Sequence, residues 1–112
     1  MSAPLNLSVV VPLYNEEESL PHLVEQLLSA LRPSDEAFEL VLVDDGSSDR
    51  TANVLAKLSA EVPEVVAVLL RKNYGQTAAM AAGFDVAGGE VIVSLDGAVS
   101  YTHLRAHETR GN

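Results

Sequence analysis

The most constraining feature of the sequence is an unbroken apolar run that ends in two acids and a glycine. The run spans residues 40–43 and is followed at once by Asp44, Asp45 and Gly46. Four consecutive aliphatic residues are typical of a strand that is buried on both faces, as in a parallel sheet. Open α/β sheets bind ligands outside the carboxyl ends of their strands. The two acids are therefore predicted to lie at the mouth of a binding site.

Three further apolar runs and three helical patterns alternate with this strand along the chain. The order β-α-β-α-β-α-β with short connections predicts an α/β fold with a parallel sheet, right-handed crossovers and helices on both faces. Further strands are predicted at residues 7–13, 65–70 and 90–95, and helices at residues 20–31, 52–62 and 77–87.

Local signals indicate where these elements begin and end. Pro12 is expected to end the first strand, because proline cannot donate to a central ladder. Asn15 is expected to cap the first helix, and the polar residues 47–49 to cap the second. The pair Gly88-Gly89 is expected to end the third helix.

The composition restricts the partners and the compartment. A net charge of -9 with no basic stripe argues against a nucleic-acid partner. It leaves open a nucleotide that is held through a divalent cation. The absence of cysteine excludes disulfides and Cys nucleophiles and fits a reducing compartment. There is no signal peptide and no run of the roughly 18 apolar residues that a membrane span needs, so a cytoplasmic location is expected.

The last fifteen residues, 98–112, differ from the rest of the chain. They hold two arginines, two of the three histidines and one acid, whereas residues 1–97 hold fifteen acids against five Lys and Arg. Hydrophobic periodicity also stops there. Residues 100–109 resemble translated adapter read-through of the kind found in assembled environmental sequence, and the alternative is a surface loop. We therefore assign residues 1–97 to one domain and interpret residues 98–112 as an atypical tail outside it.

Three strand ends carry polar turns that a parallel sheet would bring to one edge. They are Pro12-Leu-Tyr-Asn-Glu16, Asp44-Asp-Gly46 and Asp96-Gly97. A carboxylate can accept from a nucleobase N–H or from ribose hydroxyls, but near a diphosphate it can act only through a metal, because like charges repel. For Asp44 and Asp45 alone, the alternative is helix capping and loop solvation.

Four segments, in order, carry a family resemblance. They are Val9-Val-Val-Pro-Leu-Tyr-Asn-Glu-Glu17, Leu42-Val-Asp-Asp-Gly-Ser-Ser-Asp-Arg-Thr51, Arg71-Lys-Asn-Tyr-Gly-Gln-Thr-Ala-Ala-Met-Ala-Ala-Gly-Phe84 and Val91-Ile-Val-Ser-Leu-Asp-Gly97. Over residues 6–97 the chain resembles the family 2 glycosyltransferases of the GT-A fold, and most closely the dolichol- and undecaprenyl-phosphate sugar transferases. A Rossmann dinucleotide site is disfavoured, since the first turn lacks G-x-G-x-x-G.

The resemblance implies a role for each polar turn. Asp44 would hold the base, Asp45 would help to shape the ribose site, and residues 12–16 would line the nucleotide pocket. Asp96 would be the first acid of the family's Asp-x-Asp motif, which holds Mg²⁺ or Mn²⁺ on the diphosphate. No catalytic residue is assigned. The implied substrate-binding residues are Pro12, Tyr14, Asn15, Glu16, Asp44, Asp45, Asp96 and Gly97.

The chain departs from the family pattern after Asp96. Ala98 stands where the motif has its second acid, and position 100 is Ser where a Gln is expected. The acceptor-binding half and any membrane-anchoring helices are also missing. We therefore interpret the chain as the nucleotide-binding half of an enzyme that transfers a sugar from a UDP- or GDP-sugar to a polyprenyl phosphate. That enzyme would work at the cytoplasmic face of the membrane, and the chain alone is expected to lack turnover.

Two alternatives remain at this stage. One is a non-catalytic nucleotide-binding or regulatory α/β module, such as a signalling receiver domain with paired acids that bind Mg²⁺. In a receiver domain the phosphoacceptor Asp should end the third strand, where this chain has Arg71-Lys72. The other is a truncated domain that is unstable alone and covers its exposed apolar surface by self-association.

Overall fold

The computed structural model describes residues 5–95 and 106–107. All seven predicted helices and strands are present, with bounds that agree with the prediction to within two residues. A single 3-10 turn, Arg32–Ser34, follows the first helix. The elements are β1 (Leu7–Leu13), α1 (Leu20–Leu31), β2 (Phe38–Asp44), α2 (Thr51–Glu61), β3 (Val65–Leu69), α3 (Gln76–Val86), β4 (Val91–Ser94) and β5 (Ala106–His107).

The strands form one sheet in the order β3-β2-β1-β4-β5. β1 to β4 are parallel, as predicted, and β1 lies between β2 and β4. β5 is antiparallel to β4, with His107 opposite Ile92 and Ala106 opposite Val93. The two residues of β5 fall within the segment interpreted as a tail. Its assignment outside the domain stays a prediction.

Helices cover both faces of the sheet, because alternate strand residues point to opposite sides. α1 and α2 pack on the face formed by residues such as Val9, Val11 and Leu40. α3 packs on the other face, where Val10, Val41 and Val43 are fully buried against Ala79. The core is mainly aliphatic, with Phe38 on one side and Phe84 packed against the other, which fits the 4% content of aromatic residues.

Pro12 does not end β1, contrary to the sequence-based expectation. The strand continues through Leu13, whose carbonyl accepts the Asp45 N–H at 2.8 Å on the β2 side. Alternation along the strand directs the backbone nitrogen of Pro12 toward β4, where the pairing of the described residues stops at Val10 and Ser94. A proline is tolerated there because no ladder donor is required of it.

Gly83 lets α3 approach the sheet closely. A Cβ atom at this position would lie 2.4 Å from Cγ1 of Val10 and 3.1 Å from Cγ2 of Val43. Both valines are fully buried, and β-branched side chains have little rotamer freedom to yield. The absent side chain is therefore part of the packing between helix and sheet.

We expect Gly83→Ala to destabilise the chain even though alanine favours helices by about 1 kcal/mol over glycine. Overpacking of a filled core costs about 1–3 kcal/mol, so the net change in the free energy of unfolding should be a loss. Urea denaturation measures it. The double variant Gly83→Ala/Val10→Ala should lose less than the sum of the two single changes, and strict additivity would contradict the steric explanation.

A buried polar network joins the turn after α3 to the amino-terminal ends of β1 and β2. The Ser8 hydroxyl donates to Oε2 of Glu39 at 2.6 Å, and the same oxygen accepts the Gly88 N–H at 2.7 Å. The Gly89 N–H donates to the Ser8 hydroxyl at 2.8 Å. Both Ser8 and Glu39 are buried. Two adjacent strands are thus joined to the α3–β4 connection through one carboxylate and one hydroxyl.

We expect Ser8→Ala to lower the free energy of unfolding by about 1–3 kcal/mol, because the Gly89 N–H and the Glu39 carboxylate both lose a buried partner. Chemical denaturation would report the loss. Ser59→Ala is a matched control, since the Ser59 hydroxyl donates only to the Ala56 carbonyl within α2. Equal losses of unfolding free energy in the two variants would show that the buried network adds no stability beyond that of a single serine hydrogen bond within a helix.

Candidate functional site

The carboxyl ends of β1, β2 and β4 meet at one edge of the sheet. Leu13 pairs with Asp44 at the end of β1 and β2. The Leu95 N–H donates to the Val10 carbonyl at 2.9 Å, which directs the chain after β4 to the same edge. Asp96 and Gly97, the next predicted site residues, lie outside the residues that the structure describes.

Asn15 joins the loop after β1 to the loop after β2. Its Oδ1 accepts the N–H of Ser48 at 2.9 Å and that of Asp49 at 3.2 Å. Its backbone is left-handed, with φ of 54°, a conformation that Asn tolerates better than most residues. The expectation that Asn15 caps α1 is therefore wrong. α1 begins at Leu20, and the Asn15 amide instead satisfies backbone donors of the neighbouring loop.

Glu16 and Glu17 of the first loop also form hydrogen bonds with the residues at the start of α2. The Glu16 N–H donates to the Thr51 hydroxyl at 2.8 Å, and Oε1 of Glu17 accepts the Arg50 N–H at 3.0 Å. The N-cap position of α2 is Arg50, which makes no side-chain cap bond. Of the predicted cap residues 47–49, Asp49 accepts the Thr51 N–H at 2.9 Å.

The hydrogen bonds to Asp49 also affect its acidity. Burial raises the pKa of this carboxyl, but hydrogen bonds outweigh it and leave the pKa below its ordinary value. The donors are the hydroxyl and N–H of Thr51 and the N–H groups of Glu17 and of Asp49 itself. The carboxylate form thus holds the start of α2 against the first loop.

Asp44 is buried at this edge, with 3% of its surface exposed. Its Oδ1 accepts from the Ser47 hydroxyl and, at 3.4 Å, from the Ser47 N–H. The Ser47 hydroxyl oxygen in turn accepts the Asn15 N–H at 2.8 Å. Among the residues that the structure describes, the donors to the Asp44 carboxylate reach Oδ1 and none reaches Oδ2.

Asp45 is equally buried, at 4% exposure, but its carboxylate is engaged. Oδ1 accepts the Tyr74 N–H at 2.9 Å. Oδ2 accepts the Gly75 N–H and the Asn73 side-chain amide, both at 3.1 Å. The two consecutive acids therefore have different surroundings, a distinction that their spacing alone could not show.

A third loop, residues 71–75, packs against the second loop, which follows β2 and contains Gly46; the contact involves backbone atoms. A Cβ on Gly46 would lie 2.1 Å from the carbonyl carbon of Lys72. The Lys72 ammonium lies 5.5 Å from the centre of the Tyr74 ring, within cation–π range. Sequence reasoning assigned no role to Asn73. The available signal was its place in the segment 71–84 that carries the family resemblance.

The predicted residues of the first turn divide between the core and the surface. Pro12 is buried within β1, whereas Tyr14 is 47% exposed. The Glu16 carboxylate accepts from the Ser19 hydroxyl at 2.6 Å and lines a cleft of about 440 Å³. This cleft is bordered by Asn15, Glu16, Glu17, Glu18, Ser19 and Asp49.

Across residues 5–95 and 106–107 there is no group of three His, Asp or Glu side chains that could hold a metal ion, and no helix that could cross a membrane. The predicted metal ligand, Asp96, lies outside these ranges.

Comparison with known proteins gives a consistent family. The chain is 53% identical over 93 residues to the undecaprenyl-phosphate 4-deoxy-4-formamido-L-arabinose transferase of Pectobacterium carotovorum. The match covers 81% of this chain and 28% of that relative. The chain thus spans less than a third of the length of the relatives it matches.

Solved structures show the same fold of GT-A type. TarS 1–349 of S. aureus, in complex with UDP, superposes with a TM-score of 0.70 at 27% identity and covers 83% of this chain and 27% of that one. A mannosyltransferase of Pyrobaculum calidifontis, in complex with GDP-Man and Mn²⁺, gives 0.65 at 27% identity over 85% of this chain and 29% of that one. The model of "Glycosyl transferase family 2" matches residues 8–102. The chain therefore belongs to glycosyl transferase family 2.

Proposed function

We propose that these residues form the nucleotide-binding part of a glycosyltransferase that moves a sugar from a nucleoside-diphosphate sugar to a polyprenyl phosphate at the cytoplasmic face of the membrane. The observation that carries the proposal is the Oδ2 atom of Asp44. It belongs to a buried carboxylate, at the carboxyl edge of the sheet, with no donor among the described residues. Buried polar atoms normally have partners, so this one points to a ligand donor.

The chemistry of the edge fits a nucleotide base at Asp44. Uracil and guanine each carry ring N–H groups, and a carboxylate accepts such donors strongly. The Ser47 hydroxyl donates to Oδ1 and itself accepts the Asn15 N–H, so the other carboxylate oxygen, Oδ2, has a defined direction. The half-exposed ring of Tyr14 follows β1 at the same edge and supplies an apolar surface for a base.

The family resemblance implies one acid of this chain, Asp96, as a ligand of the metal. Mg²⁺ and Mn²⁺ take oxygen ligands, and Mg²⁺ is commonly bound by one or two carboxylates together with substrate phosphates. The Leu95 N–H donates to the Val10 carbonyl of β1, and β4 runs parallel to β1 toward the edge that holds Asp44. We propose that Asp96 and the diphosphate oxygens hold the ion. A bound divalent cation would neutralise charge on the departing diphosphate.

The proposed reaction needs no covalent enzyme intermediate. A phosphate oxygen of the polyprenyl phosphate forms a bond to the anomeric carbon of the sugar while the bond from that carbon to the diphosphate breaks. The products are a polyprenyl-phosphate sugar and a nucleoside diphosphate. The residues of this chain bind and orient the nucleotide, and the acceptor would be bound by the part of the relatives that the chain does not span.

Calorimetric titration of the 112-residue chain with UDP and with GDP, each with and without Mn²⁺, tests the proposal. Saturable binding of at least one nucleotide, tightened by Mn²⁺, is expected. A regulatory module would bind neither. Measurable sugar transfer by this chain alone would contradict the view that the acceptor half is required.

A further inference from the structure

We infer that Asp45 is a positioning residue, which holds loop 71–75 at the nucleotide site through hydrogen bonds and leaves the ribose to other groups. The inference takes its ligand, a nucleotide, from the proposed function. That Asp45 holds the loop follows from hydrogen bonds within the chain. It replaces the role in shaping the ribose site that the family resemblance suggests for this acid.

The hydrogen-bonding capacity of the carboxylate is largely used. A carboxylate offers about four lone-pair sites. In Asp45, three are taken by the Tyr74 N–H, the Gly75 N–H and the Asn73 amide at 2.9–3.1 Å. The side chain is 96% buried by this arrangement, given its 4% exposure. A ribose hydroxyl would have to displace a donor that is already well placed.

The same contacts define the conformation of the loop. Asn73 binds Asp45 twice, since its amide also donates to the Asp45 carbonyl oxygen at 3.0 Å. Gly75 adopts φ of 109° and ψ of 157°, a backbone region open essentially only to glycine. This turn directs both the Tyr74 and Gly75 N–H groups to one carboxylate. Asp45 therefore ties the end of β2 to the start of α3.

The held loop brings positive charge to an acidic edge. Arg71 and Lys72 are exposed, and the Lys72 ammonium lies 5.5 Å from the exposed ring of Tyr74. The acids on this edge would repel the diphosphate of a nucleotide, whereas cations attract it. Holding the loop against Gly46 fixes where these cations stand. Asp45 would thus affect the binding of the diphosphate indirectly, because it holds the loop that carries Arg71 and Lys72.

The test compares UDP with 2′-deoxy-UDP, or the corresponding guanine pair if GDP is the nucleotide bound. In the unmodified chain the ratio of the two Kd values measures the contribution of the 2′-hydroxyl. If Asp45 only positions the loop, Asp45→Asn should raise both Kd values by about tenfold, the loss of roughly one charged hydrogen bond, and leave the ratio unchanged. Asn73→Ala should reproduce part of the increase. Collapse of the ratio toward one in Asp45→Asn would overturn the inference.

Amide hydrogen exchange separates this inference from the proposed function. In Asp45→Asn and in Asn73→Ala, the N–H groups of Tyr74 and Gly75 should exchange at least about tenfold faster without any nucleotide, while amides in the centre of β1 keep their rates. Unchanged exchange at both positions would overturn the inference even if nucleotides bind. Faster exchange in variants of a chain that binds no nucleotide would support the role of Asp45 in holding loop 71–75 and reject the proposed function. If Asp45→Asn fails to fold, Asn73→Ala decides by the same two measurements.

Discussion

Gly46→Ala should cost about 3–5 kcal/mol in the free energy of unfolding, the largest stability loss that we expect from any single methyl group in this chain. Two penalties add. The Gly46 backbone has φ of 67°, a conformation that L-residues adopt at a cost. Its Cβ would lie 2.1 Å from C, 2.5 Å from O of Lys72 and 2.3 Å from N of Asn73. These are backbone atoms and cannot rotate away. Urea denaturation followed by circular dichroism measures the loss.

Two variants separate the penalties. Gly46→Asn relieves the strain of positive φ, because asparagine tolerates that conformation, but it keeps the collision. Gly75→Ala imposes backbone strain at φ of 109° with nothing within 4 Å of its Cβ. If the contact between the loops matters most, Gly46→Asn should remain severely destabilised and Gly75→Ala should lose less. Near-native stability of Gly46→Asn would contradict the close packing of the second and third loops.

Asp44→Asn should weaken nucleotide binding by about a hundredfold, from the loss of about 2–3 kcal/mol of a charge-assisted hydrogen bond. Ser47 donates to Oδ1, so the variant's amide oxygen is expected to stay there. The amide nitrogen would then occupy the position of Oδ2 and present a donor to the donor of the base. Calorimetry with the nucleotide that the unmodified chain binds gives the ratio of Kd values.

The fold should survive this change. Asp44 and Asp45 are adjacent, buried and both acidic, so removing one charge relieves repulsion. We expect Asp44→Asn to be at least as stable as the unmodified chain, which would separate its binding defect from unfolding. Ser47→Ala is the matched control on the other oxygen. Ser47→Ala keeps Oδ2 of Asp44 as an acceptor but removes the hydroxyl that orients the carboxylate through Oδ1. Its loss of affinity should therefore be smaller than that of Asp44→Asn. Equal affinity of all three proteins would contradict a role for Asp44 in binding the base.

The fold could be predicted from the sequence because its signals are repeated along the chain. The periodic apolar stripe from Leu20 to Leu31 and the unbroken apolar run at residues 40–43 are strong signals, and both were assigned correctly. The errors concerned single residues. Pro12 lies inside β1 beyond the last pair with β4 that the structure describes, Val10 and Ser94, and no local rule contains that information. Asn15 carries the signature of a cap, but its partner is a loop more than thirty residues away.

The site was predictable as a location but not as a set of contacts. The strand-end rule placed Asp44 and Asp45 at the correct edge. The hydrogen bonds of the Asp45 carboxylate depend on loop 71–75, whose approach to Gly46 is a tertiary contact that the local sequence does not contain. The family resemblance gives both acids a role toward the nucleotide, and that assignment stays a prediction. The role that we infer for Asp45 instead rests on its three donors from that loop.

The most direct test of a nucleotide site at Asp44 is a two-dimensional amide NMR spectrum recorded during a titration with UDP or GDP and Mg²⁺. We expect saturable shift changes at Tyr14, Asn15 and residues 44–47, with Asp44→Asn abolishing them at the same nucleotide concentration. Shift changes confined to the opposite end of the sheet, near Asn6, Arg32 and Glu64, would contradict it, as would a titration in which no amide moves.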